Sequence, residues 1–294
     1  MSHIDHFSQG VFTPLAAYLM SVIGSLLGLL LASRARDVKG ASRLWWLAGA
    51  ALALGGTGIW VMHFIAMMGF SVTGTPITYD VPLTVVSALV AVAMVGVGLG
   101  LVSRAGERLP ALLGAGLLTG AGVAAMHYLG MAALHMAAVK HFDLATVGAS
   151  VLIAVVASTV ALWFSLRVEG WAATTGAALI MGLAVVGMHY TGMFSLSVTV
   201  DRSKSGEALA GATALSFLLP LLIGISLITL ALLLVVALSP SKEERESEEK
   251  LLAQMEQHRA QYAAPVLPGG TSLPRPQAPP AEGSLFRRRD TPAS

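Results

Sequence analysis

Seven separate runs of apolar residues, each about 20 residues long, dominate this sequence of 294 residues. An α-helix of that length crosses the hydrocarbon core of a bilayer, roughly 30 Å thick, and satisfies its own backbone hydrogen bonds there. Charged residues make up 12% of the chain and fall between the runs, at their ends or beyond the last one. The sequence therefore predicts an all-α, polytopic membrane protein. The predicted spans are 14–32, 44–69, 82–102, 110–137, 145–167, 172–197 and 214–238.

Basic residues in the loops predict how the chain crosses the membrane. The loops after the first, third and fifth spans carry seven Lys and Arg residues, whereas those after the second, fourth and sixth carry three. Loops rich in basic residues stay in the cytoplasm, so we expect the N-terminus outside and the C-terminus inside. Four tryptophans at the cytoplasmic ends of spans agree with an interfacial aromatic belt. They are Trp45, Trp46, Trp163 and Trp171.

One hexapeptide occurs in three related copies, near the ends of the second, fourth and sixth spans. Its histidines stand 64 and then 62 residues apart, each with Met before it, an aromatic residue after it, a small residue three positions on and Met four positions on. A glycine precedes each histidine by seven residues. Imidazole is costly in hydrocarbon unless partnered, so three copies at one period indicate a function. The sets are His63, His127 and His189; Met62, Met126 and Met188; Met67, Met131 and Met193; and Gly56, Gly120 and Gly182.

The repeat predicts an arrangement of the helices. Three two-helix units in the same orientation, followed by a seventh helix, are related by a pseudo-threefold axis along the membrane normal. The three histidines then lie at one depth near the outer face and can converge on one point. Residues four apart share a helix face, so each histidine has a methionine one turn above it. The glycine two turns below allows close packing between helices.

Imidazole nitrogen combined with thioether sulfur is a ligand set that suits copper, especially Cu(I), better than the oxygen-seeking ions. We therefore predict a copper site formed by the three histidines and the methionines that follow them. Accessory candidates are the preceding methionines, together with Tyr128, Tyr190 and His135. We expect His135 two turns after His127, on the same helix face at the outer mouth. A metal-free histidine cluster that only packs the helices is an alternative.

Other metal chemistries match the ligand set less well. Three histidines with an open position are also typical of a zinc hydrolase, which usually needs a carboxylate as base or orienting group. No Asp or Glu lies within a predicted span, so we assign no catalytic residues. Two facing histidines can ligate haem iron, but threefold equivalence favours a trigonal metal site. Cysteine is absent, and nothing in the short charged loops indicates binding to nucleic acid.

The chain divides by composition into three parts. Residues 1–240 form the predicted membrane domain. Residues 241–262 are charge-rich with a few apolar positions, which predicts a short exposed cytoplasmic helix. Residues 263–294 are rich in Pro, Gly and Ala, which predicts disorder.

The hexapeptides resemble those of the MHYT family of bacterial integral-membrane sensor domains. The resemblance covers roughly residues 8–240, with Met-His-Tyr at His127 and His189 and Met-His-Phe at His63. It implies copper bound by the motif His and Met residues, sensing of O₂, CO or NO in the bacterial inner membrane, and an unknown cytoplasmic signalling partner. Many relatives join this domain to a cyclic-di-GMP turnover module or a histidine kinase. About 54 polar residues follow the last span here, so we expect a stand-alone sensor domain.

Overall fold

Seven helices of the computed structural model are long and apolar enough to cross a membrane, and the seven predicted spans are confirmed. The structure describes residues 4–200, 211–239 and 242–262, and the predicted disorder of residues 263–294 lies outside these ranges. The long helices are α1 Phe12–Arg36, α2 Gly40–Met67, α3 Val81–Ala105, α4 Leu109–Ala132, α5 Leu144–Arg167, α6 Trp171–Phe194 and α7 Ala214–Leu238.

The first six helices pack as a closed ring. Each helix contacts the next one along the chain, and α6 returns to contact α1. The seventh helix lies outside the ring against α2 and α1. This contact explains why the most apolar stretch of α2 is 89% buried, whereas that of α7 is 17% buried. The three histidine helices, α2, α4 and α6, therefore alternate around the ring with helices that carry no copy of the motif.

The α2 helix changes its hydrogen-bonding pattern just before its histidine. Residues Leu52–Val61 form a π-helix, which is followed by a short α-helical end at Met62–Met67. Glycines on this segment allow very close helix contacts. A Cβ on Gly55 would lie 2.8 Å from the carbonyl oxygen of Ala91 on α3, and a Cβ on Gly24 of α1 would collide with the backbone of Gly58. Larger residues at these positions would force the helices apart.

Three small antiparallel sheets lie at the end of the ring where α2, α4 and α6 finish, which we call the histidine end. Each sheet joins the segment before an odd-numbered helix to the segment after the next even-numbered helix. The connections before α3 and α5 also supply helix caps, because Asp80 and Asp143 accept hydrogen bonds from Leu83 N and Thr146 N at 2.8 and 2.9 Å. The strands are β1 Ile4–Asp5 with β2 Ser71–Val72, β3 Thr78–Tyr79 with β4 Leu134–His135, and β5 Ala138–Phe142 with β6 Leu196–Val200.

At the opposite end of the ring, arginines from α1 and α2 bind the last carbonyl groups of other helices. The Arg34 guanidinium donates to Ser239 O just beyond α7 at 2.9 Å, and Arg36 donates to Val168 O just beyond α5 at 2.8 Å. Arg43 donates to Ser103 O near the end of α3. Cationic groups at helix C-termini also interact favourably with the helix dipole.

Two of the predicted spans run too far at the histidine end. The α4 helix ends at Ala132 rather than at residue 137, and α6 ends at Phe194 rather than at residue 197. The residues beyond each end carry no charged Asp, Glu, Lys or Arg, so hydropathy extends the span, but part of their backbone pairs in β4 and β6 instead. After Pro240 a separate unit contains α8, Lys242–Tyr262, whose described side chains, 247–260, are exposed.

Candidate metal centre

The imidazoles of the three motif histidines meet inside the ring. Nδ1 of His63 lies 2.9 Å from Nδ1 of His189 and 3.1 Å from Nδ1 of His127. All three side chains are buried, with at most 1% exposed. In the described part of the chain, this is the one cluster of three or more His, Cys, Asp or Glu residues with metal-binding spacing. The structure thus brings together the three histidines that the sequence predicted could converge.

Each imidazole is held edge-on by the aromatic residue that follows it. The centroid distances to Phe64, Tyr128 and Tyr190 are 4.8, 4.9 and 5.0 Å, and the interplanar angles are 88°, 83° and 83°. Edge-to-face contact is a favoured geometry between rings. The same local contact therefore orients the imidazole in all three copies of the motif.

The small residue of the motif explains which nitrogen faces the centre. A Cβ on Gly130 of α4 would collide with Nε2 of His63, and one on Gly192 of α6 would collide with Nε2 of His127. Each of these rings thus uses space left by a glycine on a neighbouring histidine helix. Its Nε2 edge packs against that helix, and its Nδ1 edge points toward the other two histidines.

The nitrogens at the centre are suited to one cation. A neutral imidazole has one N–H and one lone pair, so three converging Nδ1 atoms cannot all be satisfied by hydrogen bonds to one another. A metal bound at 2.0–2.1 Å holds three such nitrogens roughly 3.5 Å apart. The rings need to separate by only a few tenths of an ångström from the observed spacing. The residues present therefore accommodate a three-coordinate metal ion.

The outer nitrogens lack the partners that metal-bound histidines usually have. Nε2 of His63, His127 and His189 is buried and makes no hydrogen bond. In most metal sites this N–H donates to a carboxylate or carbonyl group, which makes the imidazole a stronger base. The three Nε2 atoms therefore face the surrounding protein, whereas the Nδ1 atoms meet at the centre.

The remaining candidate residues of the site differ in their hydrogen bonds and in how closely they pack against other helices. All six motif methionines are buried. The Tyr128 hydroxyl shares a 2.6 Å hydrogen bond with Ser150 of α5, whereas the Tyr190 hydroxyl is buried without a partner. Among the glycines seven residues before each histidine, Gly120 lies directly against the backbone of Val155 and Gly182 against Val22. A Cβ on Gly56 would meet the side chain of Leu52 on its own helix at 3.3 Å.

The predicted position of His135 is wrong. Because α4 ends at Ala132, His135 is not on the helix face of His127. It lies in β4 opposite Thr78, with Nε2 3.9 Å from Oδ2 of Asp80. An accessory role for His135 at the mouth of a helical site therefore has no structural basis.

The sequence pattern does not predict the positions of two residues that contact the ends of the motif helices, Lys140 and His6. Lys140 of β5 reaches back to the end of α4, where Nζ donates to the carbonyls of Met131 at 2.9 Å and Leu134 at 2.6 Å, and burial lowers its pKa. His6 packs against Phe70 and Phe194 with centroid distances of 5.6 and 5.1 Å, and burial lowers its pKa. Both contacts join residues distant in sequence or outside the repeat, so motif spacing cannot predict them.

Comparison with known sequences agrees with the motif. The profile of the MHYT family, described as a bacterial signalling protein N-terminal repeat, matches residues 56–115 and 120–178. The chain belongs to the MHYT family. Each matched segment begins on a histidine helix and extends beyond the following helix, so the match does not confirm the predicted pairing of helices into repeats. The third motif copy, at His189, follows the matched segments.

Relatives of this MHYT protein are signalling proteins. It is 40% identical over 231 residues to the bifunctional diguanylate cyclase/cyclic di-GMP phosphodiesterase MucR of Pseudomonas aeruginosa, covering 77% of this chain and 33% of MucR. It is 31% identical over 206 residues to the cyclic di-GMP phosphodiesterase NbdA of the same organism, covering 68% of this chain and 26% of NbdA. The signalling protein YkoW of Bacillus subtilis is 29% identical over 200 residues, covering 64% of this chain and 24% of YkoW.

The chain thus spans a third or less of the length of these relatives. No solved structure matches it. Seven apolar helices and the family assignment together make it a multi-pass membrane protein.

Proposed function

We propose that this protein is a membrane sensor that holds a copper ion at His63, His127 and His189 and passes a signal through α7. The observation that carries the proposal is the convergence of three buried Nδ1 atoms, with 2.9 and 3.1 Å between neighbours. The signalling relatives support a sensory role. The diatomic gases O₂, CO and NO are the proposed stimuli, as the family resemblance implies.

The charge of the site favours a monovalent ion. The three imidazoles are neutral ligands, and none of the seven spans contains Asp or Glu. Burying an ion in a medium of low dielectric constant costs free energy that rises steeply with its charge. Cu(I) therefore costs less here than a divalent ion, and the proposed thioether ligands suit a soft ion. Zinc brings a greater formal charge.

The motif residues have distinct proposed roles. The three imidazoles hold the ion, and Met67, Met131 and Met193, each four residues after its histidine, are the proposed thioether ligands. Phe64, Tyr128 and Tyr190 orient the imidazoles edge-on. Bound Cu(I) would supply a soft coordination position for a diatomic ligand.

The proposed route for the signal begins at α2. This helix carries His63, and its π-helical segment packs against α7. The hydroxyl groups of Thr57 and Thr229 form a buried hydrogen bond across this contact. The chain then continues from α7 into α8, which we propose meets a cytoplasmic signalling partner.

The proposal is tested by measuring metal in the full-length protein purified in detergent and loaded with Cu(I). We expect one copper per chain. Replacing His63, His127 or His189 with alanine should weaken copper binding at least about 100-fold, because each change removes one of the three imidazole ligands. His141→Ala and His258→Ala are matched controls, since both residues are exposed, and should bind as the unaltered protein does.

Competition with a Cu(I) chelator gives the affinity, and elemental analysis gives the metal identity. Copper absent from the unaltered protein, or bound equally by the three alanine variants, would overturn the copper site. Zinc at one per chain that is lost in the same variants would keep the site but reject copper.

A further inference from the structure

A cavity lies in the centre of the ring, directly below the histidines. Residues from all six ring helices line it. Three of them, Ile59, Val123 and Val185, stand four residues before His63, His127 and His189, one helical turn below each imidazole. Met188, next to His189, also faces this space. We call it the axial chamber. The histidine cluster lies about one helical turn above these three residues.

The lining of the axial chamber is apolar. Its only polar side chains are Ser25, Thr119 and Ser158. The hydroxyl of Thr119 is within hydrogen-bonding reach of Met94 O, at 3.4 Å. Water in a protein cavity needs two to four polar partners, and apolar cavities stay dry and take up apolar molecules. The axial chamber is therefore built for an uncharged apolar ligand rather than for water or an ion.

The size of the chamber limits the ligand. Its volume is about 50 Å³, measured as the space open to the centre of a water-sized sphere. One water needs about 10–15 Å³ by this measure, and a cavity of about 150 Å³ holds benzene or xenon. A ligand of two or three heavy atoms, or one xenon atom, is the size that this space takes.

The lining of the chamber is least buried on the side of α5 and α6, and we take this side as its lateral approach. Its lining residues Ala157 and Ala161 of α5 and Val185 of α6 are only half-buried, whereas Ala154 and Leu162 on the adjacent face of α5 are fully buried. All these residues lie within membrane spans. Apolar solutes concentrate in hydrocarbon relative to water, so a ligand dissolved in the bilayer meets this approach directly.

We infer that the axial chamber binds a small, uncharged, apolar molecule of two or three heavy atoms that enters from the bilayer between α5 and α6. This deepens the proposed sensing function, on which it rests for its biological role, by naming where the ligand lies. The chamber itself requires no metal. A ligand in the axial chamber lies one helical turn below the imidazoles. It contacts the residues four positions before the three histidines, which are Ile59, Val123 and Val185.

Xenon is the probe for this inference, because it is apolar, of suitable size and binds no metal. The full-length protein in nanodiscs, without added metal, should shift and broaden the ¹²⁹Xe resonance in a saturable manner. Ala154→Leu and Ala157→Leu place three extra carbons in the lining, one at the buried wall and one at the approach, and should each weaken xenon binding at least tenfold. The control is Val156→Leu, at a residue of the same helix that is 54% exposed.

Xenon binding that is absent from the unaltered protein, or unchanged in both leucine variants, would overturn the inference. Absence of binding is also the result expected if a lipid chain fills the chamber. If Ala154→Leu fails to fold, Ala157→Leu still decides the outcome, because Ala157 is half-buried and tolerates a larger side chain. Copper titration of the same samples tests the two proposals separately. Loss of copper binding would overturn the copper site and leave xenon binding unchanged, whereas loss of xenon binding would overturn the chamber and leave copper binding unchanged.

Discussion

The three copies of the motif hold their histidines in the same way but differ in the residues around them. The edge-on aromatic contact occurs in every copy. The hydroxyl on that aromatic residue is bonded at Tyr128, unpartnered at Tyr190 and absent at Phe64. Orientation of the imidazole is therefore the shared property, whereas hydrogen bonding by the aromatic residue is not. The small residue three positions after each histidine also varies, since Ala66 stands where the other copies have glycine.

A methyl group at either glycine of the motif should disturb the centre. Gly130→Ala and Gly192→Ala each place a Cβ in the space of an imidazole Nε2 on a neighbouring helix. We expect each to lower the free energy of unfolding by about 1–3 kcal/mol, the usual cost of overpacking. The displaced imidazole should also weaken Cu(I) binding. Thermal unfolding in detergent and chelator competition measure the two effects.

The matched control is Gly114→Ala, also on α4, where a Cβ meets nothing within 4 Å. Alanine is favoured over glycine in a helix by about 0.8–1.0 kcal/mol, so this variant should be as stable as the unaltered protein or more so. If Gly130→Ala and Gly114→Ala had the same stability and the same affinity for Cu(I), Gly130 would not be making room for His63.

Among the elements, α2 both carries a histidine of the centre and packs against α7. It lies in the ring between α1 and α3, it is covered by α7, and it supplies His63, whose Nδ1 contacts both other histidines. Its π-helical segment ends immediately before the hexapeptide. π-Helical turns occur frequently at functional sites. In the proposed function, a change at His63 would reach α7 through this one helix.

The hydrogen bond between Thr57 and Thr229 should stabilise the contact of α7 with the ring. Thr57→Val and Thr229→Val preserve side-chain volume and each remove one partner, and Thr57 is fully buried. We expect each change to cost about 1–3 kcal/mol, because a buried hydroxyl loses its partner. The double variant should lose less free energy of unfolding than the sum of the two single losses. The difference measures the coupling between the two hydroxyl groups.

Thr159→Val is the control, because the Thr159 hydroxyl donates only to Val155 O of its own helix, at 2.8 Å. Its effect should add to that of Thr57→Val without coupling. If Thr57→Val and Thr229→Val were also additive, the hydrogen bond would contribute nothing to α7 docking, and the proposed route for the signal would lose its contact.

How far the sequence predicts the elements depends on which interactions form them. Long apolar runs identify the seven spans, because a membrane helix satisfies its own backbone. The end of α4 is missed because four of residues 133–137 are apolar, and only pairing with Thr78 and Tyr79 shows that Leu134 and His135 form a strand. The π-helix at Leu52–Val61 is missed because it differs from an α-helix only in which carbonyl group accepts each backbone hydrogen bond, and hydropathy carries no information on that.

The same distinction applies to the site. The fixed period of the motif predicts that three histidines share one depth, since the repeat carries that information within the chain. Contacts between distant segments are not predicted, and Lys140 and His6 are examples. Which nitrogen of each imidazole faces the centre depends on Gly130 and Gly192 of neighbouring helices, which sequence spacing alone does not reveal.

For the whole molecule, the arginines link charge distribution to helix packing. Arg34, Arg36 and Arg43 belong to the basic loop that predicts the cytoplasmic side, and they bind carbonyls at the ends of α7, α5 and α3. The C-termini of these three helices thus lie at the arginine-rich end. The side chains that favour one orientation in the membrane also complete the helices at that end.

Orientation is open to a direct test, because the chain contains no cysteine and single introduced thiols are unambiguous. Thr73→Cys lies at the histidine end between β2 and β3, and Ser42→Cys lies at the arginine-rich end near the start of α2, and both positions are exposed. A membrane-impermeant maleimide should label Thr73→Cys in intact spheroplasts, but Ser42→Cys only after permeabilisation. The opposite pattern would place the histidine end in the cytoplasm. With the histidine end outward, an ion would reach the centre without crossing the bilayer, and α7 would end on the cytoplasmic side, where the proposed signal would be read.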